Sequence, residues 1–239
     1  DSWKQERRRG PGNGTLREVG SRFRWSLSNG RAVTGLGCVE VLHMRRTYSR
    51  EEIVSKAAEA AESMPTFYQQ RFIQYTGMAF PEKVPYTEIT AAFLRERPEL
   101  WEQIPTIFRK SPYRTEGHNG TAQNPDSNQG EAHLAYDLYR QKQVPGLGAV
   151  LDYQVPLKDK QADKDGKIDL VADDGAALYL LELKREDSRE TLLRCVLEIL
   201  TYWHTVDREA LVEDFLGGDA KRTVVPAVLL PTTCTACRE

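Results

Sequence analysis

The 239-residue chain contains no apolar run near the roughly 20 residues needed to cross a bilayer. It opens without a recognisable secretory signal, although its first residue is not Met. We therefore expect a soluble, cytoplasmic protein with no membrane partner. Its hydrophobic content of 40% is sufficient to bury a full core.

Cysteine is also scarce, with four in the whole chain. Cys38 and Cys195 lie in apolar runs and are most simply buried thiols. Cys234 and Cys237 form one C-x-x-C pair, but no second pair or neighbouring His completes a zinc site. The sequence therefore excludes a disulfide framework and gives little support to structural zinc.

An excess of charge of one sign is absent, since 33 basic residues face 35 acidic ones and the net charge is −2. The distribution is uneven, because residues 1–50 carry 11 Lys and Arg against 4 acids. Within that segment, Arg22 and Arg24 alternate with Phe23 and Trp25. Two interpretations remain open: these arginines contact nucleic-acid phosphates, or they belong to a solvated basic face.

The most informative part of the chain consists of two apolar runs, over 167–172 and 177–184, joined by an Asp-Asp-Gly turn. This pattern predicts two strands of a hairpin. Side chains alternate along a strand, so Glu182 and Lys184 share a face. The hairpin is expected to bring Asp169 of the first strand close to Glu182 of the second.

Two carboxylates and an amine at one place suit phosphodiester hydrolysis. Mg²⁺ in proteins is commonly held by one or two carboxylates, together with waters and phosphate oxygens. Asp169 and Glu182 would supply these carboxylates. Lys184 would orient the attacking water or offset the charge that develops on the phosphate.

The spacing of Asp169 followed by Glu182-Leu183-Lys184 resembles the PD-(D/E)XK nuclease superfamily. The resemblance implies a restriction-endonuclease-like core in which the Asp and the Glu-x-Lys lie on neighbouring strands. It also implies that the Leu183 carbonyl is a metal ligand and that a glutamate on the preceding helix, here Glu131, assists. Metal ligands would therefore be Asp169, Glu182, Leu183 and Glu131.

A helix is predicted after this motif. Asp187 and Glu190 have the spacing of a capping pair, and the helix should run from about Ser188 to about Val206. Its predicted apolar stripe consists of Leu193, Val196, Leu197, Leu200 and Trp203.

A second, polar stripe on this helix contains Arg194, Glu198 and Tyr202, which are spaced four apart. Glu198 and Tyr202 resemble the Gln-x3-Tyr motif of RecB-type members of the superfamily, with Glu in place of Gln. The sequence departs again at Ile168, which stands where the family name has proline. Arg194, Arg22 and Arg24 are candidate nucleic-acid contacts.

The expected fold class is α/β, with a mixed sheet flanked by helices as a nuclease-like core over 116–239 and an α/β accessory region over 1–115. The predicted core consists of a helix over 130–142 and strands over 148–155, 167–172, 177–184 and 223–230. The accessory region is predicted to hold a hairpin over 21–27 and 35–43, and helices over 49–63, 67–75, 87–97 and 99–108.

These patterns together favour a Mg²⁺- or Mn²⁺-dependent nuclease that acts on DNA. One alternative is a member of the same fold that has lost its chemistry and serves as a nucleic-acid-binding or scaffold module. Another is an unrelated α/β protein with fortuitous charges. The sequence leaves a homodimer open.

Overall fold

The computed structural model describes residues 46–115, 130–159, 166–217 and 221–238. The hairpin predicted over 21–43, with Arg22 and Arg24, lies outside these residues. From Thr47 onward the chain forms one compact unit. Within the described ranges, no helix has the length and apolar character required to cross a membrane.

A five-stranded sheet forms the centre of this unit. Its strands are β1 (Gln143–Val144), β2 (Gly148–Pro156), β3 (Lys167–Asp173), β4 (Ala177–Leu183) and β5 (Thr223–Leu229). The spatial order is β1-β2-β3-β4-β5, with antiparallel pairing throughout except for the parallel β4–β5 pair. The predicted α/β class with a mixed sheet is therefore confirmed. Strand β1 was too short to give a periodic signal in the sequence.

The described residues also contain five α-helices: α1 (Arg50–Ala60), α2 (Tyr86–Arg95), α3 (Gly130–Gln141), α4 (Leu192–Thr205) and α5 (Arg208–Leu216). The sequence analysis predicted the first four but not α5. This helix buries little more than Leu211 and Phe215. Its start was nevertheless signalled by Asp207, whose carboxylate caps the helix by accepting from the Ala210 amide at 3.1 Å.

The start of α1 follows the capping-box rule. Ser49 Oγ accepts from the Glu52 amide, and the Glu52 carboxylate accepts from the Ser49 amide. The helix predicted over 67–75 is wrong. In its place, 3-10 turns over Ala61–Gln69 and Arg71–Gln74 are separated by an extended Gln70. The helix predicted over 99–108 is reduced to a 3-10 turn over Pro98–Gln103.

The sheet is covered on both faces. Leu178 and Leu180 of β4 belong to a cluster that includes α4 and the front residues Phe67 and Ile73. The opposite face of the strand, with Leu181, packs against α3. Because side chains alternate, Glu182 lies on the same face as Leu180, which is the face covered by α4.

Helix α4 does not bury the predicted apolar stripe. Of those five residues only Leu197 is fully buried, and the buried set is Cys195, Leu197, Ile199, Thr201, Tyr202 and Thr205. The helix packs on β4 and β5 from one side and on the 3-10 segments from the other. A helix covered from two sides buries more than one stripe, so the single-stripe expectation was wrong.

Candidate functional site

The register of the β3–β4 hairpin places two carboxylates side by side. Leu170 pairs with Leu181, and one further step along the antiparallel ladder brings Asp169 opposite Glu182. Directly opposed side chains point to the same face of a sheet. The Leu183 amide also donates a hydrogen bond to Asp169 Oδ2 at 2.9 Å. The backbone that follows Glu182 therefore lies against the Asp169 carboxylate.

Gln154 of β2 flanks Asp169 on its other side. The β2–β3 register puts it opposite Asp169, and its Nε2 donates to Asp169 Oδ1 at 2.7 Å. Its backbone is left-handed, with φ of 49°. A non-glycine residue in this region costs free energy, and such residues gather at functional sites. Sequence reasoning missed Gln154, since no motif marks it.

The ammonium group of Lys184 lies at the centre of four carboxylates. Its Nζ is 2.7 Å from Glu182 Oε1 and 2.9 Å from Glu190 Oε2. Glu131 Oε1 is at 3.4 Å, and Glu198 Oε2 is at 4.0 Å. The Lys184 side chain is only 4% exposed, so these charges interact in a poorly solvated place.

Glu131 is located in the first turn of α3, as predicted, and its side chain remains 42% exposed. Close beside it, Arg185 passes over Gly130. A Cβ on Gly130 would lie 2.0 Å from the Arg185 guanidinium, so a larger residue there would displace this flexible side chain. The start of α3 is thereby brought up to the residue that follows Lys184.

Glu190 has a role that differs from the prediction. The sequence pattern made it the capping partner of Asp187, but α4 begins at Leu192, and Thr191 is the cap that accepts from the Arg194 amide. Glu190 therefore lies outside the helix, and its carboxylate is free to reach Lys184. The error arose because a D-x-x-E capping spacing and a site glutamate look alike in sequence.

The polar stripe of α4 faces the same place. Tyr202 Oη donates to Glu198 Oε1 at 2.9 Å, and Arg194 Nε lies 3.5 Å from Glu198 Oε2. Arg194 also donates to the Tyr68 carbonyl and stacks over the Tyr68 ring. Gly166 has φ of +94° and would place a Cβ 2.5 Å from the Tyr202 hydroxyl. Tyr202 and Arg194 therefore both hold the Glu198 carboxylate.

Burial and mutual repulsion change how these groups titrate. Burial raises the pKa of Asp169 to about 6, with a further increase from Glu131. Burial likewise raises the pKa of Glu182 well above its usual range, and the charges of Asp169 and Glu198 add to this. Burial alone would lower the pKa of Lys184, but Glu182 and Glu190 outweigh it and the net shift is upward. The single positive charge of Lys184 therefore does not balance the negative charges of Asp169, Glu182 and the neighbouring glutamates.

An open cleft of about 660 Å³ exposes this cluster to solvent. Six acidic side chains line it against four basic ones, which are Lys167, Lys184, Arg185 and Arg194. The excess of hard oxygen donors, with Asp169 and Glu182 adjacent, fits a divalent cation such as Mg²⁺. No three His, Cys or acidic side chains in the described ranges form a metal-ligand cluster by themselves. A site of this type would be completed by backbone oxygens and water.

Cys38 lies outside the described residues, and the other three cysteines are free thiols. Cys195 and Cys234 are buried together with Ala236 beside α4, and Cys237 is exposed. Burial raises the pKa of the Cys195 thiol to about 12, which keeps it protonated.

No family model matches the chain, and no curated protein or solved structure matches it significantly.

Proposed function

We propose that this protein is a divalent-metal-dependent nuclease of the PD-(D/E)XK type that hydrolyses phosphodiester bonds of DNA. One observation carries the proposal. Asp169, Glu182 and Lys184, which are up to 15 positions apart, have side chains at one place on the sheet, beside an open cleft. The Asp-Glu-x-Lys resemblance of the sequence requires this convergence.

The finer fold assignment is part of the same proposal. The order α3, β2, β3, β4, α4, β5 is the order that the resemblance to a restriction-endonuclease-like core implies, and it supports this assignment. The short β1 and helix α5 would be additions to that core. The placement of Asp169 and Glu182 on the neighbouring strands β3 and β4 supports the same fold.

Asp169, Glu182 and the Leu183 carbonyl would hold the cation, with Glu131 acting through a water. When bound, Mg²⁺ neutralises charge on the scissile phosphate and lowers the pKa of a water. Asp169 is prepared for this role, since each of its oxygens accepts one protein N–H and keeps a lone pair for another partner. Lys184, held as an ammonium, would orient the attacking water and stabilise the charge on the phosphate.

A polyanionic substrate is supported by the basic residues at the cleft. Lys167 and Arg185 are exposed there, and Arg194 is half-buried beside Glu198. They would contact phosphates on either side of the cleavage position. DNA is the polymer we propose. RNA of the same length and sequence tests that choice directly.

Cleavage of DNA by the purified chain tests the proposal. Supercoiled plasmid and labelled duplex and single-stranded oligonucleotides, with matched RNA, are incubated with Mg²⁺, Mn²⁺ or EDTA. We expect metal-dependent cleavage of DNA that falls at least about 100-fold in Asp169→Asn and in Lys184→Met, with both variants folded by circular dichroism. Absence of cleavage by the wild type, or full activity in either variant, would contradict the proposal.

The Lys184–Glu182 contact of 2.7 Å favours one alternative, in which the same fold binds nucleic acid without cutting it. In that case the ammonium group permanently neutralises the carboxylate that a metal needs. Calorimetric titration separates the two functions. Heat from Mg²⁺ or Mn²⁺ binding that disappears in Glu182→Gln supports the enzyme, and no heat at millimolar metal supports the binding module.

A further inference from the structure

The segment before the sheet reaches the candidate site through Gln74 as well as through Tyr68. Its Nε2 lies 3.4 Å from Glu190 Oε1 as a donor, and its Oε1 accepts from the Thr191 amide at 3.1 Å. Thr191 in turn donates to the Ile73 carbonyl at 2.9 Å. Residues 73 and 74 therefore hold both the capping residue of α4 and the glutamate just before it.

Glu190 contacts Lys184 with the oxygen that Gln74 does not use. Gln74 binds Oε1, while Oε2 lies 2.9 Å from Lys184 Nζ. The Glu190 side chain is 31% exposed, compared with 42% for Glu131, and it also lies closer to Lys184 Nζ, at 2.9 Å compared with 3.4 Å. Glu198 is farther away, at 4.0 Å, and is shared with Arg194 and Tyr202.

When Glu182 binds a metal, less of its negative charge is left for Lys184. Its Oε1 is the closest carboxylate oxygen to Lys184, at 2.7 Å, yet Glu182 is also a proposed metal ligand. A divalent cation at Glu182 would compete with the ammonium for the same charge. Lys184 then needs a second anionic partner that keeps its position. Glu190, tied to Gln74, occupies that place.

We propose that Glu190, held by Gln74, is a positioning residue for Lys184, keeping the ammonium group at the reacting phosphate when Glu182 binds the metal. This inference rests on the proposed nuclease function. It adds a residue that the Asp-Glu-x-Lys motif does not contain. It also gives the segment before the sheet a defined part in the reaction.

The test compares Glu190→Gln with Gln74→Ala, and uses Glu186→Gln as a matched control at an exposed position. In Glu190→Gln we expect kcat for DNA cleavage to fall about 10- to 100-fold, with KM and the Mg²⁺ dissociation constant within about threefold of wild type. Gln74→Ala should lower kcat less, by about 3- to 10-fold. Glu186→Gln should match wild type in all three quantities.

Each other outcome is decisive. Wild-type kcat in Glu190→Gln overturns the proposal, and so does loss of Mg²⁺ binding, since Glu190 would then be a metal ligand. If the wild type neither binds metal nor cleaves DNA, the nuclease proposal fails. Crystal structures of wild type and Glu190→Gln then test separately whether Glu190 positions Lys184. A Lys184 Nζ that stays within about 0.5 Å of its wild-type position in the variant overturns it, and a displaced one supports it.

Discussion

The Asp169 carboxylate accepts a hydrogen bond from the backbone amide of Leu183, at 2.9 Å. This contact ties the end of β4 to the acidic residue of β3, so the position of Glu182 relative to Asp169 is fixed by the main chain. Because the two carboxylates are held together and buried, the metal-free site is expected to be destabilising.

Asp169→Asn should stabilise the metal-free protein at pH 7.5. Burial raises the pKa of Asp169 from 3.8 to about 6, and about 1.4 kcal/mol per pKa unit gives an upper limit of about 3 kcal/mol. Asn keeps one acceptor for Leu183, and Gln154 can turn its amide to suit the new NH₂ group. Urea unfolding with EDTA measures the gain. A variant less stable than wild type would show that the buried charge of Asp169 does not destabilise the metal-free protein.

The gain from Asp169→Asn should depend on pH. A carboxyl whose pKa is raised in the folded state binds more protons there than in the unfolded chain, so stability falls as pH rises from about 4 to about 6. Wild type and variant should therefore be similarly stable near pH 4 and differ most above pH 6. Thermal melts across pH 4 to 8 in EDTA provide the check. A constant difference over this range would contradict the assignment.

Lys184→Ala should destabilise the metal-free protein by about 3 kcal/mol, because it leaves buried carboxylates without their cation. Millimolar Mg²⁺ should recover part of this loss by supplying positive charge, while cleavage stays abolished. Lys110→Ala, at an exposed position, is the control. Differential scanning fluorimetry with and without Mg²⁺ measures both effects. A variant as stable as wild type in EDTA would be evidence against strong repulsion among the acids.

Gly166→Ala should disturb the site through Tyr202. Gly166 and Gly175 both have left-handed backbones, with φ of +94° and +90°, but only the first would place a Cβ against Tyr202. Gly175→Ala should therefore cost about 1 kcal/mol from backbone strain, and Gly166→Ala should cost about 1–2 kcal/mol more. Cleavage should fall only in Gly166→Ala. Equal effects of the two substitutions on stability and cleavage would show that the close approach of Tyr202 to Gly166 does not support the site.

Ser49→Ala should cost about 1 kcal/mol, since it removes the side-chain cap from α1. Urea unfolding measures the loss. The specific activity of the folded variant should not change, because Ser49 is not among the described residues that line the cleft. An altered kcat would mean that α1 is coupled to the site.

The sequence was sufficient to predict the strands that carry the acids. Alternation along β4 put Glu182 and Lys184 on one face, and the turn before it brought Asp169 opposite Glu182. These inferences are local, since they need only a period of two and a hairpin. The bounds of β2 to β5 differ from the predicted ones by no more than one residue at either end.

The residues that hold the site side chains in place, Gln74 and Gln154, could not be predicted in the same way. Gln74 lies 116 positions before Glu190, and no spacing rule links them. Gln154 depends on the register of β2 against β3, which includes a bulge between Val150 and Asp152. The stripe of α4 was wrongly predicted because periodicity shows which positions share a face of the helix, and not how many faces are covered.

The shared hydrophobic cluster has a practical consequence for anyone who wishes to express part of the molecule. Met64, Phe67 and Ile73 pack in the same cluster as Val171, Leu180 and Leu197. A fragment that starts after residue 115 would leave those sheet and helix surfaces facing water, and would remove Gln74 from the start of α4. A recombinant version shortened at its amino end should retain every residue from Thr47 onward.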